Sequence, residues 1–556
     1  MIAGLLYADK DRTNVKRYDD DSTIISDLNL KSLFRTCAQK VIWNGEIVEK
    51  VTPADPFIEQ TMRQVMMVPL RTKEEVEYRQ AVIRDFLNNT ELAAQLYEIT
   101  TGLSNAWNAL GRKEKKHQEQ DAAGEMITKI KVINMLLNTA CKVKKILEDN
   151  ENSFKSEGLK NLLTGLRNEI SEDKEKRIRK VIDDVSFFTI EGEREERMKP
   201  GRICVPKIVL GCRIGDSLRF DSFQLDELES VDKKYHKPGG FLSKMDDYKN
   251  KLVPDSIQLT KNPALLEQGA YMERMMVSYL CESLSGFVDE LGVFFDHLRM
   301  QCAFMLGVCY LQDQMRRYEL HLNFPKVGAK ECFKFTELKE LVMCIEQHHA
   351  PIGNSCDIKN KNMLVVTGAN QGGKSTFLRS LGIAQLMMQA GMPVLADYYE
   401  APLYPGMFTH FTRREDSEMN SGRLDEELKR MSQIVDYLRK NEAEAPGTSL
   451  VLLNESFATT TEKEGSVIAY DILQAMTGMG VNVATVTHLL SFAKRLYEEK
   501  EQEKKDKGVD ETNVVFLSAE RLDSGERTFK MIPCVPQLTS FGLDLYDKMI
   551  YGTESV

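Results

Sequence analysis

A Gly-rich octapeptide set between an apolar run and an amphipathic stretch constrains this chain more than any other feature. Gly368-Ala369-Asn370-Gln371-Gly372-Gly373-Lys374-Ser375 fits the pattern G-x-x-x-x-G-K-[ST], directly after the apolar Met363 to Val366 and directly before the helical stretch Thr376 to Gln389. Glycines at these positions let backbone N–H groups turn inward around phosphate oxygens, and the following helix N-terminus adds partial positive charge. Lys374 is then expected to reach the β and γ phosphates of a nucleotide and Ser375 to ligate magnesium, with Thr376 completing the loop. Strand, turn and helix in this order belong to an α/β domain with a parallel sheet.

Two further positions fit the same chemistry. Leu450 to Leu453 form an apolar run that ends in Asn454-Glu455. A buried strand that delivers an acid beside a phosphate loop is what magnesium-dependent hydrolysis requires: one group holds the metal shell and the other polarises the attacking water. Glu455 is the candidate for water activation. Asn454 stands where an Asp is usual; its neutral amide can orient a metal-bound water but adds no charge, so weaker metal affinity and slower turnover are expected. His488 follows the apolar Val481 to Val486, which places it at the C-terminal end of a neighbouring strand as a γ-phosphate or water sensor.

The rest of the chain reads differently. Thr72-x-x-Glu75 is a capping box that opens a helix with Val76, Val82, Ile83, Phe86 and Leu87 on one face. Helical patterns recur over about 124–149 and 160–184, and the longest runs from about Pro263 to Leu320, on the order of 80 Å if continuous. Such helices act as levers or struts. Between them, residues 186 to 256 carry short apolar runs such as Ile203 to Val205 and Ile208 to Leu210, broken by Pro and Gly, which suggests inserted strands.

Composition bears on partners and compartment. With 74 Lys and Arg against 84 Asp and Glu, the formal net charge is −10, which argues against a uniformly basic nucleic-acid surface but leaves room for a local patch. No apolar run reaches the length of a membrane span and the N-terminus lacks the basic start of a signal peptide, so the chain reads as cytoplasmic with no membrane partner. The 11 Cys contain no C-x-x-C pair, consistent with reduced thiols.

At this point the residues resemble one family. Thr367 to Thr376 (TGANQGGKST) is similar to the phosphate loop of the MutS family of DNA mismatch repair ATPases, Leu450 to Gly465 (LVLLNESFATTTEKEG) to its acid-bearing strand and following loop, and Thr485 to His488 (TVTH) to its strand end. Phe411 to Leu428, with Arg413, Asp416, Ser421, Gly422 and Glu427, resembles the segment that reaches the partner's ATP in the family dimer; Ser421 or Gly422 would be the residue acting in trans. Ser540 to Leu543 (SFGL) resembles the stretch before the dimerising helices, and Val68 to Asn89 the start of the helical core.

The resemblance implies a multidomain chain. A short N-terminal segment (1–55) precedes an α-helical core or lever domain (56–335) with a small β-containing, clamp-like insertion at 186–256. An α/β P-loop ATPase domain of the ABC type (336–556) follows, with a C-terminal dimerisation segment. It also implies ATP and magnesium at composite sites of a homodimer, with lever movement on DNA. About 55 residues precede the core and no Phe-x-Glu wedge stands in them, so mismatch-reading and connector domains are not expected. The alternative is an ATP-driven protein–protein switch, and the charge cluster Lys174, Lys176, Arg177, Arg179 and Lys180 discriminates between the two. An adenine-stacking residue is expected within Phe333 to His349.

Overall fold

The computed structural model describes residues 4–8, 17–18, 21–114, 122–176, 178–179, 207–214, 220–229, 263–330, 332–369, 371–404, 406–412, 423–441, 449–507, 512–522 and 526–536. Asn370, Arg413, Asp416, Ser421, Gly422, Arg177, Lys180, Ile203 to Val205, Ser540 to Leu543 and most of 186–256 therefore lie outside the described residues.

In chain order, the first half contains helices α1 (Asp21–Asp27) and α2 (Leu30–Cys37), and a hairpin of β1 (Val41–Asn44) and β2 (Ile47–Val51). Helices α3 (Pro56–Met66), α4 (Lys73–Asn88), α5 (Thr90–Glu114), α6 (Ala122–Asn150) and α7 (Glu157–Glu169) follow. An antiparallel pair β3 (Lys207–Ile214) and β4 (Phe220–Glu229) precedes the 54-residue helix α8 (Pro263–Arg316). The capping box of α4 forms as its sequence predicts: Thr72 Oγ1 accepts from Glu75 N at 3.2 Å, while the Glu75 carboxylate accepts from Thr72 N. Two orphan donors are thereby satisfied at the helix start. At about 1.5 Å per residue, α8 is roughly 80 Å long.

The second half runs β5 (Lys326–Val327), β6 (Cys332–Leu338), α9 (Leu341–Gln347), β7 (Asn354–Lys359), β8 (Met363–Thr367), α10 (Lys374–Gln389), β9 (Tyr398–Ala401) and β10 (Gly406–Phe411). It continues with α11 (Arg423–Asn441), β11 (Ser449–Asn454), α12 (Glu462–Gly478), β12 (Asn482–Val486), α13 (Leu490–Lys507), β13 (Val514–Arg521) and β14 (Arg527–Pro533). Among the described residues, six strands form one sheet in the order β10-β11-β12-β8-β13-β14. All neighbours are parallel except the terminal β13–β14 pair. A second sheet has the order β5-β9-β6-β7.

Strands buried on both faces need apolar residues throughout rather than alternation. All of β8 and β10 is buried, and β11 is buried from Leu450 to Leu453. Val365, Val451, Leu453 and Val483 pack with Phe457, Met431, Leu473, Phe492 and Leu496 from the loops and helices covering one face. Each such side chain contributes roughly 1.5–3 kcal/mol of transfer free energy.

The chain divides into two compact units. One comprises 1–4, 91–154 and 159–302; the other comprises 5–90, 155–158 and 303–556 and contains the six-stranded sheet. In the first, Arg167 of α7 reaches back to Glu151 at 2.7 Å and Glu148 at 3.1 Å. Helices α5 and α8 approach closely there, since a Cβ on Gly292 would stand 2.9 Å from the Trp107 ring.

The second unit draws in the N-terminal residues. Leu28, fully buried just after α1, and Leu452 of β11 flank Gly382 of α10, where a Cβ would meet them at 2.9 and 2.7 Å. The Asp27 carbonyl accepts from Arg379 Nε at 3.0 Å, and its carboxylate lies 3.8 Å from Arg430 of α11. Arg79 of α4, also fully buried, donates to the carbonyls of Leu6 (3.1 Å) and Ala390 (3.2 Å). Among the described residues, no helix is long and apolar enough to cross a membrane.

Candidate nucleotide site

The sheet register brings the three expected groups to one edge. Val366, Val486 and Asn454 lie side by side across β8, β12 and β11. The next residues are tied by Thr487 N to the Val366 carbonyl (3.1 Å) and Glu455 N to the Val486 carbonyl (2.8 Å). The phosphate loop, the acid and His488 therefore all leave the C-terminal edge of the sheet, where open α/β sheets place their ligands.

The loop owes its shape to glycines at demanding positions. Gly368 has φ +106° and Gly373, the residue before α10, has φ +86°. A Cβ on Gly368 would stand 2.7 Å from Ser518 Oγ, and one on Gly372 would stand 2.7 Å from the Ala519 Cβ, so β13 presses against the loop. Gln371, at φ +60°, accepts from Arg527 Nη1 at 3.0 Å. Lys374 is buried, its ammonium donating to the carbonyls of Gly368 (2.8 Å) and Ala369 (2.9 Å). Burial lowers the pKa of that ammonium, and the negative charge of Glu455 opposes the shift. Ala369 is buried beneath the loop and Thr376 lies half-buried in the first turn of α10.

Ser375 Oγ donates to Asn454 Oδ1 at 2.8 Å, which joins the start of α10 to the end of β11. Both are hard oxygen donors of the kind magnesium accepts, and adjacent positions of an octahedron with bonds of about 2.1 Å lie about 3 Å apart. The spacing of the pair, one oxygen at the start of α10 and one at the end of β11, suits a single magnesium ion. The set contains no carboxylate, so the balancing charge has to come from phosphate oxygens.

Glu455 has φ +53°, an uncommon conformation for a residue with a side chain. Its carboxylate is about one third exposed and lies 4.0 Å from His488 Nδ1. Thr412 Oγ1 donates to the Glu455 carbonyl at 2.8 Å. Glu427, from α11, is buried and accepts at one oxygen from Phe457 N (3.0 Å) and Thr459 Oγ1 (3.1 Å). Desolvation raises its carboxyl pKa, against those two hydrogen bonds.

Sequence reasoning missed residues that sheet order delivers from far away. Phe529 of β14 has φ +59° and is 45% exposed, and its Cδ1 would be 3.4 Å from a Cβ on Gly373. An exposed aromatic ring beside a phosphate loop is the kind of surface a base stacks on. In the stretch expected to supply that ring, Phe335 is buried against Phe377, Phe333 packs edge-on to Phe335 and Tyr399, His348 pairs with Tyr318, and His349 is exposed. His410, buried beneath the Glu455 loop, was also not singled out. Its only sequence signal is a lone polar ring in the apolar strand GMFTHF.

The described members of the charge cluster are each paired with a carboxylate. Lys174 lies 3.6 Å from Glu169, Lys176 lies 3.8 Å from Glu172, and Arg179 Nε lies 2.8 Å from Glu175.

Comparisons with known proteins bear on the same residues. The model for the MutS2 N-terminal domain matches residues 71–192, and that for MutS domain V matches 364–530. The second span holds Lys374, Ser375, Asn454, Glu455, His488 and Phe529. The human protein named MutS protein homolog 4 is 30% identical over 141 residues, 25% of this chain and 14% of its own length. Endonuclease MutS2 of Streptococcus equi subsp. equi is 31% identical over 140 residues, 25% of this chain and 17% of its own. DNA mismatch repair protein MutS of Petrotoga mobilis is 26% identical over 204 residues, 34% of this chain and 24% of its own. The matched stretches thus span less than a quarter of these relatives' lengths. Two family models in the order and at the places the motifs occupy, together with relatives that carry the MutS name, show that this chain belongs to the MutS family.

Proposed function

We propose that this chain is a MutS-like ATPase that binds and hydrolyses ATP at sites completed by a second copy and couples the cycle to lever and clamp movement on DNA. The observation that carries the hydrolytic part is the 2.8 Å bond between Ser375 and Asn454, because it sets Glu455 one residue away from the phosphate-loop helix. Lys374 exchanges its two carbonyl partners for phosphate oxygens when nucleotide enters. Ser375 and Asn454 would hold magnesium, which neutralises phosphate charge when bound. Glu455 accepts the proton of the attacking water and His488 orients that water or the γ phosphate; positioned general bases of this kind contribute roughly 10²–10⁴-fold.

The adenine ring would stack on Phe529, an exposed ring beside the loop. In the partner copy, Ser421 or Gly422 acts on the γ phosphate. Binding ATP at both sites supplies the differential contacts between open and closed states that a switch requires. Support for a role in DNA repair comes from the relatives, one of which is a DNA mismatch repair protein. The work is placed in the cytoplasm.

A second reading keeps the ATPase and changes its load to a protein. The glutamates beside Lys174, Lys176 and Arg179 favour it, because they offset the local positive charge that a phosphate backbone would meet. Binding of linear, branched and single-stranded DNA at low salt, with and without ATP, decides between them. Sequence-independent binding that weakens with salt and changes with ATP supports the DNA reading; absence of binding in both nucleotide states removes it in favour of the protein switch.

A further inference from the structure

The loop that carries Glu455 is held in an unfavourable backbone path, and the groups that hold it come from two other elements. Glu455 (φ +53°) and Phe457 (φ +65°) both occupy the left-handed region without being glycine. Residues in that region persist only where their surroundings fix them. From β10, His410 is fully buried; its Nε2 donates to the Glu427 carbonyl at 3.2 Å, and Nδ1 faces Ser456 Oγ at 2.7 Å. Ser456 Oγ also donates to the His410 carbonyl at 3.0 Å. The ring also stacks on Phe457, with centroids 6.0 Å apart. From α11, a single oxygen of Glu427 accepts from both Phe457 N and Thr459 Oγ1. On the remaining side, a Cβ on Gly465 of α12 would stand 2.5 Å from the Phe457 carbonyl, so that helix seals the loop from behind.

We propose that Glu427 is a positioning residue for hydrolysis, tying α11 to the 455–459 loop so that the direction of the Glu455 carboxylate depends on where α11 sits. The two hydrogen bonds that Glu427 accepts meet that loop two and four residues beyond the acid, and Met431 of α11 packs in the same apolar cluster as Phe457. A shift of α11 therefore turns Phe457 N, and with it the strained peptide units leading back to Glu455. His410 makes the same link through backbone, joining the Glu427 carbonyl to Ser456. The inference rests on the ATPase reading given above, in which Glu455 activates water.

The test is steady-state ATP hydrolysis by the full chain and its Glu427→Ala, Glu427→Gln, Thr459→Val and Glu455→Gln variants. In Glu427→Ala, kcat should fall 10- to 100-fold with KM for ATP within about threefold of wild type. Glu427→Gln should stay within about threefold in both, because one amide oxygen accepts the same two hydrogens. Thr459→Val, nearly isosteric, should lower kcat roughly three- to tenfold at unchanged KM and serves if Glu427→Ala does not fold. Equal losses in Glu427→Ala and Glu427→Gln, a rise in KM at constant kcat, or an unaltered kcat in Thr459→Val would overturn the proposal. Wild-type hydrolysis by Glu455→Gln would remove the water-activating role of Glu455 on which this inference rests, whereas a dead Glu455→Gln beside a fully active Glu427→Ala would remove only this inference.

Discussion

In the proposed site, Lys374 and Phe529 would divide the work of holding a nucleotide. The ammonium is already desolvated and satisfied by two loop carbonyls, so phosphate has to compete with those bonds rather than with bulk water. Lys374→Ala should therefore remove measurable ATP binding in a fluorescent-nucleotide titration; unchanged affinity would contradict the loop assignment. Phe529→Ala should weaken ATP about tenfold, the equivalent of about 1.4 kcal/mol of lost stacking, and leave inorganic triphosphate binding unchanged. The phosphate loop and the acid were legible because their chemistry demands fixed residue types at fixed spacing. Phe529 was not, because its nearness to Gly373 follows from β14 closing the sheet edge more than 150 residues later.

A second residue-scale prediction concerns pH. Glu340, buried at the start of α9, accepts from Met343 N, and burial pushes its carboxyl up to about 7 from 4.5. A raised carboxyl means that the folded chain holds a proton the unfolded chain has released. Stability from this group is therefore fully present below pH 4.5 and is lost as pH rises towards 7, by up to about 3 kcal/mol. In Glu340→Gln the amide still accepts from Met343. Its urea-denaturation stability relative to wild type should rise between pH 4.5 and 8; a constant difference across that range would show that the carboxyl titrates normally.

At the scale of elements, the sequence marks strands best where both faces are buried. β8 and β11 are apolar runs ending in a polar residue at the sheet edge, β12 (NVATV) is mostly apolar and ends in Val486, and the structure places all three within one or two residues of their expected limits. The expected helix after the loop starts two residues earlier, at Lys374, because Gly373 serves as its N-cap. β13 and β14 carry mixed apolar and polar residues and escape that signal. Helices α1 and α2 escape it too: eight or fewer residues are too short for a period to show, and no motif reveals that they cover the nucleotide unit. Their contribution is measurable through Leu28, which is fully buried beside α10 and β11. Leu28→Ala should cost about 3 kcal/mol in chemical denaturation; a loss under 1 kcal/mol would place α1 outside the cooperative unit.

At the scale of the whole molecule, the two compact units differ in how much of their sequence announced its role. The unit with the six-stranded sheet carries motifs whose chemistry names them. The other is built largely from α5, α6, α7 and part of α8, whose patterns state that they are helices and little about what they move. The net charge of −10 likewise constrains partners only in sum. Local pairing matters more: the described lysines and arginine near residue 175 sit beside glutamates. If two copies complete each site, light scattering of Glu455→Gln should show a dimer stabilised by ATP relative to ADP. An ATP-saturated monomer would contradict the composite site.

The claim that joins these scales is that Glu455, brought beside Ser375 through Asn454, activates water for ATP hydrolysis. Phosphate release from ATP with magnesium, followed in parallel for wild type and Glu455→Gln at equal nucleotide occupancy, tests it directly. Release by wild type with a loss of roughly 10²–10⁴-fold in Glu455→Gln, while ATP stays bound, is the expected result. Equal rates for the two proteins, whether measurable or negligible, would contradict it.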